Sequence, residues 1–560
     1  MKILLIHTAH RRGQGPGATL ELMAMPQGLL ALGALLQDNG HLVEVVHLGL
    51  EQTLDPSFEL EPLVRSQAPD LVGISLHWHH GARDARQAAA AARRGGARFV
   101  VLGGITASLF ARELLEQWQS VDAVVRGDGE QPLLALVQAL EPAPGPLEQR
   151  LARVPNLSWR DGGQVMDNPL DYVAGPGELE RLCFTRYPLL RHHRWYSGQI
   201  SLDPPEATLS GQAMLRRFNL PISRGCARDC PRCGGARSTL GPATGRPGAT
   251  FAPVEAVVRT VGEAMAQGLD AFYISCHPPD HDPGYFPRLF DAVGRAGLCC
   301  ALEVEAFAEL PDRAFLDAFA RTFQMNRSRI ILSPQGSEAR RRRLGISYPD
   351  ADLHHLLSLA RERGIAVRSH LGIGPPDTAE DLQGGVALAA RLRAGGPRSK
   401  DLVPLLDEVD PLSPWTRQPR RFNLHRPNNC LEDLLLQSRL RHSSPRATVD
   451  PGYDQGALWA GWLALRAAAL PPGQALTLLR TGAAHPAGHA LAWLPRQRLG
   501  DHEAVASGQV RPLDRDAAWV VMVGGPVDPG SLLTLATRVL ALFPGAVDLR
   551  VGPAAPPVPH

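Results

Sequence analysis

Uninterrupted apolar runs alternate with amphipathic stretches over the first quarter of the chain. The run "KILLIH" (residues 2–7) has no polar alternation. That pattern predicts a parallel strand buried on both faces. "PQGLLALGALLQDNGH" carries a helical period, with Gly40 placed to stop it. "LVEVVHL", "LVGISL" and "FVVLGG" read as further strands, with "ARDARQAAAAARRGG" as a helix between the last two. "VDAVVRGDGE" adds a strand ending in a glycine turn, and "QPLLALVQAL" a closing helix. This α/β alternation predicts a doubly wound, Rossmann-like parallel sheet over residues 1–140.

The proline-rich "EPAPGPLEQRLARVP" marks a boundary. Residues 141–215 read as a connector. It contains a hairpin in "NLSWRDGGQVMDNP" and an aromatic, histidine-rich stretch in "RYPLLRHHRWY". Alternation resumes over residues 216–420, with strands in "FNLPIS", "AFYIS", "CCALEVE", "RIILSP", "AVRSHLGIG" and "DLVPLL". Six such units predict a partial (β/α)6 TIM-type barrel whose strand-end loops build a site. Residues 421–560 are expected to form a small C-terminal α/β region of unknown role. In it "AAWVVMVGG" and "AVDLRVG" frame a possible β-α-β unit, and the tail "PAAPPVPH" has a disordered composition.

Composition narrows the function classes. A 44% hydrophobic chain of 560 residues can build several cores, and its net charge of +2 provides no general attraction for nucleic acid. Lysine occurs only at Lys2 and Lys400, which excludes a Gly-Lys-Ser/Thr phosphate loop. The first apolar run is too short for a secretory signal. "GALWAGWLALRAAALPPG" is interrupted by Arg466 and ends at Pro471, so no transmembrane segment is expected. Eight cysteines, three of them clustered, suit a metal site in a reducing cytoplasm better than a disulfide scaffold.

The cluster is "SRGCARDCPRCGG", with Cys226, Cys230 and Cys233 spaced Cys-x3-Cys-x2-Cys. A structural zinc site needs four protein ligands. No fourth cysteine lies close in sequence, although Cys276 or His277 could approach in space. A four-iron cluster held by three thiolates instead leaves one iron open. The spacing, the preceding "PISRG" and the following Gly234 and Gly235 resemble the radical S-adenosylmethionine (radical SAM) superfamily. The resemblance implies a 4Fe-4S cluster on Cys226, Cys230 and Cys233. Its open iron would chelate S-adenosylmethionine, which is cleaved to a 5′-deoxyadenosyl radical, with electrons from an external flavodoxin- or ferredoxin-type donor. Arg232 stands where the family commonly has an aromatic residue that packs near adenine. "GIGPPDTAED" and "ILSPQGSE" resemble later S-adenosylmethionine segments, with Pro376 and Asp377 where Gly and Glu are common. They imply Gly372, Gly374, Ser333 and Gln335 as contacts. Glu303, Glu305, Cys276, His277 and Asp280 end strands and are candidate substrate groups or caps.

In the first domain, "MPQGLLALGALLQDNGHLVEVVHL", "PDLVGISL", "VVLGGITAS" and "VDAVVRGDGEQPLL" resemble the cobalamin-binding domain fused to one branch of that superfamily. The resemblance implies that Ser75, Gly103, Gly104, Thr106, Gly127 and Gly129 line the cobalamin tail and corrin edge. The Asp-x-His-x-x-Gly lower-ligand motif of many cobalamin proteins is absent. His77, Trp78, His79 and His80 follow a strand and could face the corrin. The run Arg340–Arg343 reads as a solvated helix face. No acid–base triad is recognisable, so no catalytic side chain is assigned. The expected activity is methylation of an unactivated carbon of a small-molecule, lipid or peptide substrate. The alternatives are a radical cyclisation or rearrangement with the same cofactors, and a non-catalytic cobalamin or iron–sulfur sensor.

Overall fold

The structure, a computed structural model, describes residues 1–8, 11–12, 19–20, 22–196, 215–275, 282–374, 377–394, 401–406, 409–422 and 429–437. Beyond these it describes short segments within 461–469 and strands within 474–553. Strand Lys2–His7 buries Ile3, Leu4, Leu5 and Ile6 on both faces, as its unbroken apolar run requires. It lies between Leu42–His47 and Leu71–Ser75, followed by Phe99–Gly103 and Ala123–Val125, all parallel. This is a doubly wound order. Its topological switch point falls between Lys2–His7 and Leu71–Ser75, and ligands bind such sheets outside the carboxyl ends of those strands. The hairpin Leu157–Asp161/Gln164–Asp167 forms as its Asp-Gly-Gly turn predicts. It extends this sheet by pairing antiparallel with Ala123–Val125.

The second sheet holds the six expected strands in order, Leu215–Asn219, Ala271–Ile274, Ala301–Ala306, Arg329–Leu332, Ala366–Ile373 and Asp401–Leu406. All are parallel, and helices such as Val254–Ala266 and Tyr285–Arg295 separate them in sequence. A seventh strand comes from elsewhere. Leu22–Ala24, in the loop between the first strand and the first long helix, pairs parallel with Leu215–Asn219. The first domain thus donates an edge strand to the barrel. Burial joins the two domains as well, because one face of the first sheet and the layer between the barrel strands and their helices share a continuous apolar core.

Residues after the last barrel strand return to the first domain. Leu431 and Leu434, on helix Leu431–Gln437, are fully buried among residues of the other face of the first sheet and helix Ala82–Arg94. The Leu431 N–H donates to Glu113 Oε2 at 2.9 Å. Farther along, Gln474–Arg480 lies between Val520–Val523 and Val547–Pro553, antiparallel to both. The expected β-α-β pair is therefore split by an intervening strand, and the helix expected between its strands and the tail lie outside the described residues. Among the described residues no helix is long and apolar enough to cross a membrane. Leu434→Ala should leave a cavity where helix Leu431–Gln437 meets the first domain and cost about 2–4 kcal/mol. The check is a lower urea midpoint for the first unfolding transition, at unchanged slope.

Candidate functional site

The three cysteines sit on an excursion whose base is a two-residue strand pair, Ser223–Arg224 with Thr250–Phe251. Gly225 has φ +76, and a Cβ there would lie 2.5 Å from Arg246 Cδ, with Gly248 O closer still. Only glycine fits this turn into Cys226. Inside the loop, the Cys233 N–H donates to Cys230 O (3.1 Å) and the Arg237 N–H to Arg228 O (2.9 Å). The backbone N–H groups of Arg228 and Gly235 point at Cys226 Sγ (3.4 Å) and Cys233 Sγ (3.2 Å). N–H groups aimed at sulfur stabilise thiolate charge. Burial, and after it Asp410, pushes the Cys233 thiol up to about 12; burial also raises Cys230. Both need a metal's positive charge to become thiolates at neutral pH.

Three elements hold this loop from outside. From the segment after the last barrel strand, Asp410 accepts from the Gly234 N–H at 2.9 Å. Its own N–H donates to Arg232 O, and that of Trp415 to Pro231 O. From the loop after Ala301–Ala306, Glu309 pairs with Arg228, and the Phe307 ring lies 5.5 Å from the Arg232 guanidinium. An aromatic ring from a neighbouring loop thus lies against Arg232, the residue before the third cysteine. Gly234 and Gly235, expected as cofactor contacts, spend their N–H groups on Asp410 and Cys233.

The third support is the first domain. Its residues Ser75, Gly103, Gly104, Thr106, Gly127 and Gly129 gather at the carboxyl edge of the sheet. Thr106 donates from its N–H and hydroxyl to His77 O, bracing one strand-end loop on the next. Ser108, which sequence reading passed over, accepts from the Gly127 N–H at 2.9 Å and donates to Gly104 O at 2.8 Å. A Cβ on Gly127 would lie 2.8 Å from Thr244 O, in the helix that follows the cysteines. His77 is solvent-exposed, with protein bulk close around its ring. Those surroundings, then the Arg224 cation, hold its pKa down to about 4. Next to it, a crevice lined by Trp78, Thr106, Phe110, Gly234 and Asp410 joins the switch-point edge to the cysteine loop.

Deeper in the barrel the strands turn polar residues inward at a period of two. Glu303 is fully buried against Arg368 (3.0 Å) and Arg329 (3.5 Å). One layer above, Tyr273 donates to Glu305 at 2.7 Å, with His370 Nδ1 3.9 Å from the same carboxylate. The sequence signal was Glu303/Glu305 and Arg368/His370, spaced two apart in otherwise apolar strands. Ser333 and Gln335 are buried at the end of Arg329–Leu332, with Gln335 at φ +52. The Arg340–Arg343 run corrects its reading as a solvated face, since Arg340 and Arg341 are 2% and 0% exposed. Arg340 donates to Gln335 Oε1 (2.9 Å) and Asp377 Oδ1 (2.7 Å), and Asp377 Oδ2 accepts from the Gly374 N–H (2.8 Å). A buried ion pair thus joins Gln335, Asp377 and Gly374, while Gly372 lies within its strand. Cys276, His277, Asp280 and Pro376 lie outside the described residues.

The first domain matches a known family model, the B12 binding domain, over residues 13–137. Residues 13–137 are a B12-binding domain. A search of curated proteins finds no match to the chain. Among solved structures, the chain is similar to a radical S-adenosylmethionine methyltransferase, TsrM, from Kitasatospora setae with tryptophan substrate and a SAM analog bound. That match has 19% identity, a TM-score of 0.52 and coverage of 74% of each chain. The same enzyme with cobalamin and a 4Fe-4S cluster bound gives 19% identity and a TM-score of 0.53, covering 74% of this chain and 75% of that one. The fold is therefore a domain that matches the B12 binding model joined to a barrel folded like that of TsrM, in keeping with the sequence resemblance.

The residues present fit the groups such a fold carries. Among the described residues no three His, Cys, Asp or Glu side chains converge on a single-ion position. Separate thiols on one loop suit a multi-iron cluster, where each meets a different iron. On the B12-binding side, Glu130 Oε2 is buried without a partner at the inter-domain edge, an acceptor awaiting a donor. Gly225→Ala should abolish iron incorporation while leaving the B12-binding domain folded, read as iron and cobalamin content after anaerobic loading. Arg340→Leu should strand the Asp377 carboxylate and cost about 3–5 kcal/mol, seen as a fall in thermal midpoint.

Proposed function

We propose that the protein is a cobalamin-dependent radical SAM enzyme that methylates an unactivated carbon of its substrate. The observation that carries this reading is the placement of Cys226, Cys230 and Cys233. Their loop sits at the barrel mouth and is pressed against the switch-point edge of the B12-binding domain. When bound, a three-thiolate 4Fe-4S cluster with S-adenosylmethionine supplies radical chemistry, and cobalamin supplies a methyl carrier.

The chain's own part is to bind, orient and exclude water. Cys226, Cys230 and Cys233 would hold the cluster, and the N–H groups of Arg228 and Gly235 would stabilise its sulfurs. Ser75, Gly103 and Gly129 would border the cobalamin, with His77 and Trp78 on the crevice wall. Gly372, Gly374, Ser333 and Gln335 would border S-adenosylmethionine. Of these, Gln335 is held by Arg340. The substrate would enter the polar barrel interior above Glu303. Electrons would come from a flavodoxin- or ferredoxin-type protein, as the reductive cleavage requires. The resemblance to TsrM, an enzyme that acts on tryptophan, supports methyl transfer over rearrangement.

Anaerobic reconstitution with iron, sulfide and hydroxocobalamin tests this. With a low-potential reductant added, the wild type should give a four-iron EPR signal and transfer a CD3 group from labelled S-adenosylmethionine to the cob(I)alamin so formed, releasing S-adenosylhomocysteine. It should also release 5′-deoxyadenosine under reduction. Cys230→Ala should keep cobalamin and lose the cluster signal. Zinc without iron, or cobalamin binding with neither methyl transfer nor S-adenosylmethionine cleavage, would refute the reading in favour of a sensor. Product mass separates methylation from an isomerisation, which adds none.

A further inference from the structure

The turn Gly127–Glu130 closes the parallel part of the B12-binding sheet, and both of its carboxylates reach out of the domain. Arg224, two residues before Cys226, donates from Nη1 to Asp128 Oδ1 (3.2 Å) and from Nη2 to Glu130 Oε1 (2.6 Å). The other Asp128 oxygen receives the Arg246 guanidinium and the Ala174 N–H (3.0 Å). Arg246 in turn crosses the backbone of Gly225 and donates to Thr250 Oγ1 at 2.7 Å. The cysteine loop is therefore held at both ends of its base by one carboxylate of the other domain.

Two arginines and two carboxylates balance in charge, so the group can be buried as a unit. Asp128, Glu130 and Arg246 have side chains only 10%, 4% and 6% exposed. Arg224 is less enclosed, at 28%. Its cation is one cause of the depressed His77 pKa. The guanidinium thus joins the first domain's Asp128 and Glu130 to the strand that leads into the first cluster cysteine. An arginine fork that spans two carboxylates fixes orientation as well as distance, which a lysine ammonium cannot do.

Resting on the cofactor assignment proposed above, we infer that Arg224 is a positioning residue that sets the distance between the iron–sulfur cluster and cobalamin, through Asp128 and Glu130. A methyl group would pass from S-adenosylmethionine to cob(I)alamin, leaving S-adenosylhomocysteine, only if the two sites face each other at a fixed separation. The interface supplies that separation through this clamp.

The test is magnetic. In holoprotein reduced so that the cluster and cob(II)alamin are both paramagnetic, the cluster shortens the relaxation time of the cob(II)alamin EPR signal, steeply with distance. Arg224→Gln and Glu130→Gln should keep both cofactors and lose part of that relaxation enhancement, with a broadened spread. Arg224→Lys should fall between them and wild type. The double variant should be no worse than Arg224→Gln, because one interaction is shared. A merely structural clamp would lower the thermal midpoint and leave the enhancement unchanged, and that result in both single variants overturns the inference. If Arg224→Gln fails to take up iron, Glu130→Gln, whose change lies in the other domain, decides by the same measurement. A wild type that loads neither cofactor overturns the underlying function, and the clamp with it.

Discussion

A carboxylate buried between two arginines decides how the halves of this molecule meet. Asp128 leaves the B12-binding sheet and accepts from Arg224 on one side of the cysteine loop and Arg246 on the other. Removing any one of these charges would strand the rest in a poorly solvated interface, where an uncompensated ion costs several kcal/mol. The domains are therefore not free to slide, as modules joined by a polar linker would be. Backbone pairing of Leu22–Ala24 with Leu215–Asn219 adds a second constraint at the opposite end of the same chain segment. Between them, the ion cluster and the donated strand make one body of two sheets.

The cysteine loop depends on that body. It has little regular structure of its own and few apolar residues to pack. Its shape comes from contacts with three separate elements: the Asp128 turn, the Asp410 segment and the loop bearing Phe307 and Glu309. Each contact reaches a different stretch of the loop, from Arg224 through Arg228 and Arg232 to Arg246. The arginines of this loop have a physical use here. Arg224 and Arg246 work as buried or half-buried forks, where a lysine would lose the second hydrogen bond.

The strand order of both sheets was legible because it is written in local patterns. Unbroken apolar runs such as "KILLIH" announce strands covered on both faces, and Gly40 and the Asp-Gly-Gly turn announce where elements stop. The cysteine spacing was equally local. What stayed hidden depends on partners far along the chain. Asp128 meets Arg224 and Arg246 across 96 and 118 residues. Four consecutive arginines look solvated until Asp377, 37 residues beyond Arg340, is seen to bury one of them. The seventh barrel strand was illegible for a further reason. A three-residue edge strand is specified by the backbone groups it satisfies, and its side chains carry no strand-length pattern.

The barrel interior shows what the constraint serves. A TIM-type barrel built only for stability fills its centre with layers of branched apolar side chains. Here one layer is Glu303 with Arg329 and Arg368, and the next is Tyr273, Glu305 and His370. Buried ion pairs of this kind rarely stabilise relative to packed hydrocarbon, so core stability does not account for these polar layers. The half-exposed upper layer faces the mouth, where Glu309 and Phe307 hold the cysteine loop. The cysteine loop thus touches both the barrel-end loop of Phe307 and Glu309 and the first-domain edge. The carboxylate at Asp128 holds the loop to that edge.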